Sequence, residues 1–191
     1  MKNLIGLIAI AATLALQGCM TYSHNQLQPV EQWPLIEESK VKPSVYLKAQ
    51  SEYRANENPS ISANVDKLEA LLRQEFVDSG RFSRVSTQQE KSDIYVTATL
   101  RNQEDSNIAL AMITGFTMFL VPATFDNTLT LDLVFRDGQG NQIGKVEKQE
   151  KLTTWMHLIL IFALPFNESL DKLLSDLAQS ALEEAAKQNL I

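Results

Sequence analysis

The amino-acid sequence predicts an α+β domain. It should contain an antiparallel sheet of about four or five strands, two amphipathic helices on one face of that sheet, and two apolar segments at one end of it. Three observations carry this expectation. Residues 44–50, 93–101 and 128–135 alternate apolar and polar side chains with a period of two, as half-buried strands do. Residues 62–79 and 169–185 carry apolar side chains at helical spacing. Two runs, 108–123 and 155–166, contain no Asp, Glu, Lys or Arg in a chain that is 21% charged.

With 191 residues, 45% of them hydrophobic, and only 7 Gly and 6 Pro, the composition fits one packed core. The elements follow in order. The first strand alternates Val45, Leu47 and Ala49 against Tyr46 and Lys48. The helix over 62–79 places Val65, Leu68, Leu71, Leu72, Phe76 and Val77 on one stripe, with Gly80 where a left-handed cap belongs. Phe82 and Val85 mark a short strand, and Ile94, Val96, Ala98 and Leu100 give the next one an apolar face. Beyond the first apolar run, Leu129, Leu131, Leu133 and Phe135 alternate with Thr128, Thr130 and Asp132. Asp137-Gly138-Gln139-Gly140-Asn141 reads as a hairpin turn, and the return strand, 142–152, bears the lysines and glutamates of an exposed edge. Asn167 or Ser169 caps a last helix whose apolar face runs from Leu170 and Leu173 through Leu174, Leu177, Ala181 and Leu182 to Ala185.

The amino terminus has a different character. Lys2 is followed by an apolar stretch over 4–16, whose 13 residues fall short of the roughly 20 a membrane-spanning helix needs. This is the pattern of a secretory signal. Its last four residues, Leu16-Gln17-Gly18-Cys19, resemble the signal of bacterial lipoproteins. The resemblance implies that 1–18 is removed, that the Cys19 thiol receives a diacylglycerol, and that Cys19 becomes the acylated first residue of the mature chain. Two or three acyl chains hold a protein to a membrane effectively permanently. Met20 stands where an Asp is associated with inner-membrane retention, so the resemblance implies an outer-membrane anchor with the domain facing the periplasm. Residues 20–42 are polar, with Pro29 and Pro34 and no sustained period, and are expected to form a lipidated tether together with Cys19. As a flexible chain they would span on the order of 26 Å. Trp33 and Tyr22 are placed to touch the lipid interface, the alternative for Trp33 being to pack on the domain's flank. The folded domain then covers 43–191. Its order of elements is topologically similar to small envelope-assembly lipoproteins, such as the lipopolysaccharide-assembly and curli-secretion lipoproteins, a likeness of architecture that transfers no function.

Several function classes fall away on composition. Without Lys2 the mature chain has 16 basic against 23 acidic residues, a formal charge of -7, and no basic stripe to engage nucleic acid. A single cysteine excludes an internal disulfide, and with only His24 and His157 beside it neither a metal centre nor a cofactor site is expected. No catalytic residue is assigned: His24 lies in the expected tether, His157 lies in an apolar run, and a hydrolase needs a histidine held against a nucleophile. Two non-enzymatic readings remain. One is an anchored structural or assembly component that meets an envelope protein partner or the membrane through an apolar surface. The other is a tethered carrier of a lipid-like ligand.

The apolar runs bear on that choice. At 1.5 Å per helical residue, the 16 residues of 108–123 reach about 24 Å and the 12 of 155–166 about 18 Å, so neither crosses a bilayer's core of roughly 30 Å alone. Each closes on a proline, Pro122 or Pro165, and strand order puts both at the same end of the sheet. They either complete the core or form a paired apolar tip. In the second case Ile113, Phe116, Phe119, Ile159 and Phe162 are the expected contact residues, and Ala111 and Gly115, four apart, allow a close helix approach.

Overall fold

A computed structural model describes residues 19–35, 41–56, 58, 61–62, 65–157, 160 and 169–191. The strands are β1 (Cys19–Ser23), β2 (Ser44–Ala55), β3 (Ile61–Ser62), β4 (Arg84–Ser86), β5 (Ile94–Ser106), β6 (Ala123–Asp137) and β7 (Gln142–Met156). Three helices accompany them: α1 (Asp66–Asp78), α2 (Ile108–Phe116) and α3 (Leu170–Lys187). The strands form one sheet in the order β1-β7-β6-β5-β2-β3, with β4 also alongside β2.

The antiparallel sheet of four or five strands is corrected on two counts. The sheet has more strands, and it is mixed: β2 runs parallel to β5 over eleven paired positions, from Val45 opposite Ile94 to Ala55 opposite Glu104. A parallel pair needs a long crossover, and the chain between Ala55 and Ile94 supplies one that contains α1. The two-helix expectation also misses α2, the first part of the first apolar run.

One face of the sheet is apolar and covered. Val45, Leu47, Val96, Ala98, Leu131, Leu133 and Phe135 lie on it, all at most 2% exposed. Helix α1 sets Leu68, Leu72 and Phe76 against it, and α3 sets Leu173, Leu177, Ala178, Ala181, Leu182 and Ala185. Leu170, expected on the apolar face of α3, is instead exposed at its first turn. Glu75 ties the two helices together by accepting hydrogen bonds from Ser175 Oγ and from Gln179 Nε2 at 3.0 Å. Gly80 takes the left-handed conformation that ends α1, at φ +70°.

The opposite face is open and polar. Asp132, nearly buried there, lies 2.5 Å from Arg101 and 2.9 Å from Lys145, and Glu147 lies 3.0 Å from the same lysine. Hydrogen bonds from Lys145 hold the Glu147 carboxyl below its ordinary range, and Asp132 raises Lys145 in turn. Two cations against two anions leave this patch self-neutralised. At the β6–β7 turn, Asp137 Oδ1 accepts from the amides of Gln139 and Asn141, both at 2.9 Å, and Gly140 sits at φ +90°.

Candidate functional site

Two features of the fold stand out as candidates: the amino-terminal strap and the apolar end of the sheet. The strap begins as β1, which pairs antiparallel with β7 from Cys19 opposite Met156 to Ser23 opposite Leu152. Over 19–35 the segment read as a flexible tether is therefore laid on the domain. Strand β7, expected as a free edge, is covered by β1 over 152–156. Thr21 and Thr154 share a hydroxyl hydrogen bond at 2.8 Å, and the His24 amide donates to the Lys151 carbonyl at 2.9 Å. Glu150, 1% exposed on the covered face, accepts from the amides of Gln26 and Leu27 at 2.9 and 3.0 Å. Farther along, Leu27, Trp33 and Leu35 pack against the core, and the Leu35 amide donates to the Ser79 carbonyl at 2.8 Å. Trp33 thus belongs to the flank, whereas Tyr22 is exposed on β1 and stacks on His24 with ring centres 5.6 Å apart.

Glu150→Ala is expected to destabilise the chain by about 1–3 kcal/mol, because two amides lose a buried acceptor that water replaces poorly. Glu150→Gln retains an acceptor oxygen and should lose less. Chemical denaturation measures the difference, and hydrogen exchange should accelerate first over 24–27.

This strap brings His24 into a hydrogen-bonded series that sequence reading placed far from any partner. His24 Nε2 lies 2.9 Å from Thr153 Oγ1, and Thr153 Oγ1 donates to Asp126 Oδ1 at 2.7 Å. The hydroxyl proton is committed to the carboxylate, so the imidazole donates to the threonine rather than drawing its proton away. That order does not activate a nucleophile. Among the described residues no three His, Cys, Asp or Glu side chains are grouped to hold a metal ion. Burial pushes the Cys19 thiol above its ordinary pKa, the reverse of what a reactive thiolate needs.

The second feature is α2 and the turn that follows it. Asn107 caps the helix, its Oδ1 accepting from the Leu110 amide at 3.0 Å. The polarity of α2 is inverted: its one buried residue is Thr114, whose hydroxyl donates to the Leu110 carbonyl, while Ile108, Met112, Ile113 and Phe116 face outward. Phe116 is 85% exposed. Met118 and Phe119 then take consecutive left-handed conformations, φ +50° and +62°, each costing a non-glycine residue roughly 1–2 kcal/mol. Thr117 helps hold this turn: its Oγ1 reaches the Ile113 carbonyl at 2.9 Å and accepts from the Val121 amide at 3.2 Å. Met118 and Leu120 are exposed and Phe119 is half-buried. Of the five expected contact residues, then, Ile113 and Phe116 are on the surface and Phe119 is partly so. Ile159 and Phe162 lie outside the described residues. The close helix approach expected at Ala111 and Gly115 involves the second apolar run, which beyond His157 lies outside the described residues apart from Leu160. Among the described residues no helix is long and apolar enough to cross a membrane.

Register places the two features together. Ala123, which ends the first apolar run, pairs with Met156, and Met156 pairs with Cys19. Trp155, one position back on β7, is exposed. Beside this end lies an open bowl of about 1110 Å³ lined by Asn56, Gln103, Asp105, Asn107, Ile108 and Asp126 among others. It is polar and wide, and it lacks the apolar walls that enclose a small-molecule ligand.

No protein-family model matches the chain, and no curated protein is similar to it. Among solved structures it is similar to a minor lipoprotein from Acinetobacter baumannii, at 17% identity and a TM-score of 0.31, over 78% of this chain and 89% of that one. A second, described as an uncharacterized protein, is 16% identical with a TM-score of 0.24, over 76% of this chain and 88% of that one. Likenesses this loose carry no argument about family or function.

Proposed function

We propose that the chain is a non-enzymatic, lipid-anchored protein of the outer membrane, facing the periplasm, which acts as a structural or assembly component of the envelope. It engages a protein partner or the membrane itself through the apolar end of its sheet. The observation that supports this reading most is the inverted helix α2, which buries a threonine and exposes Ile108, Met112, Ile113 and Phe116. Large apolar side chains exposed together on one short helix fit a contact surface. The carrier reading has less support, because the space between sheet and helices is filled by Leu47, Leu72, Phe76, Leu133, Leu177 and Leu182, none more than 1% exposed.

Photo-crosslinking in the intact envelope tests the proposal. A photoreactive residue at Phe116 or Met118 is expected to form an adduct with one defined protein or with phospholipid. If neither position forms an adduct while the protein is present at normal abundance, the apolar end is not a contact surface. Stoichiometric lipid released from the purified chain would favour the carrier instead.

A further inference from the structure

We infer that the apolar end of the sheet lies in the lipid leaflet that holds the Cys19 acyl chains, so that the domain is seated rigidly on the membrane, α2 end first, rather than swinging on a tether. The inference rests on the proposed acylation of Cys19 and adds to it the occupant of the α2 surface.

The argument is one of slack. An acylated Cys19 is the first residue of the mature chain, and it is also the first residue of β1, already paired with Met156. No flexible residue separates the lipid from the sheet, in place of a span on the order of 26 Å for a free tether. Strands in a sheet stand about 4.8 Å apart, so Cys19 on β1 lies only about 10 Å from Ala123 on β6, two strands away, where the chain returns from α2. The β1–β7 and β6–β7 ladders fix that spacing, with Thr21 and Thr154 joined across the first of them. Acyl chains leaving Cys19 therefore bring Trp155, Met118, Leu120 and the outer face of α2 to the leaflet at once. An amphipathic element lying in an interface buries its apolar face roughly 5–10 Å deep, about the depth of one side of a helix. The side chains there suit lipid: residues 107–123 carry no charge, and Asp105 and Asp126 flank the run as exposed carboxylates that stay with the headgroups. Those carboxylates disfavour a strongly anionic surface, which makes a zwitterionic leaflet the fitting one.

The test uses the full chain, produced with its own signal and reconstituted through its own acyl groups into phosphatidylcholine vesicles with or without bromine on the lipid tails. The chain has two tryptophans, so Trp33→Phe leaves Trp155 as the sole emitter. Adding Phe116→Trp to a Trp33→Phe, Trp155→Phe chain moves the emitter to α2, at a position too exposed for the change to disturb packing. Both emitters are expected to lose most of their fluorescence in brominated vesicles and to shift to shorter wavelength. Quenching at neither position, with acyl label present on Cys19, overturns the seating while leaving the anchor in place. Quenching at Trp155 alone, or a position-116 emitter that is shielded only when a protein partner is added, also overturns it. Absence of acyl label on Cys19 removes the anchoring proposal, and this inference with it.

Discussion

A chain carrying Cys19→Ser is expected to take up no acyl label and to escape lipoprotein-type processing, remaining uncut or being cut elsewhere. The expectation follows from the lipidation proposed at Leu16-Gln17-Gly18-Cys19, in which the Cys19 thiolate would receive the diacylglycerol and a serine hydroxyl would not. Serine is close to cysteine in size and Cys19 is only half-buried, so β1 should still pair with β7. Stability and anchoring are thereby separated: fractionation should show a folded chain that is no longer held by acyl groups. Metabolic labelling with a fatty acid, followed by mass spectrometry of the amino terminus, measures the effect. Undiminished label in the mutant would sink the assignment.

The second large effect is on stability. Phe76→Ala is expected to destabilise the domain by about 3–5 kcal/mol, out of a total that is typically about 5–15 kcal/mol. Phe76 is fully buried on α1 and stacks on Phe82 with ring centres 5.4 Å apart, so truncation opens a cavity between helix and sheet that the neighbouring strands cannot close. The next residue provides the control. Val77 is 45% exposed, and Val77→Ala should change stability by no more than about 0.5 kcal/mol. Urea midpoints of the two purified variants settle the comparison. Equal midpoints would mean that α1 contributes little to the core.

Two further experiments bear on the strap and on the proposed contact surface at the α2 end. The Glu150 variants test whether the strap is held as tightly as its hydrogen bonds suggest, and the brominated-lipid experiment tests what that tightness achieves.

What the sequence determined by itself is what depends on neighbours a few residues away. Alternation at Leu129, Leu131, Leu133 and Phe135 marks a strand and its inner face, since side chains of a strand point to opposite sides in turn. Helical spacing at Leu68, Leu72 and Phe76 marks α1, and Asp137 with Gly140 marks the hairpin, for equally local reasons. Only the tertiary structure decided which strands pair and in which direction. The β2–β5 partnership joins residues about fifty apart, and nothing in either strand's alternation distinguishes a parallel neighbour from an antiparallel one. The strap was illegible for a related reason: five residues, Cys19–Ser23, are too few to show a period, and they become a strand because β7 offers an unpaired edge. His24 joined Thr153 and Asp126 only as a result of that pairing. The run over 108–123 was legible as apolar but not as exposed, because hydrophobicity alone does not say which side of a helix meets the protein. The tertiary structure supplies that side: Thr114 is the residue of α2 that it buries, and Ile108, Met112, Ile113 and Phe116 are left on the surface.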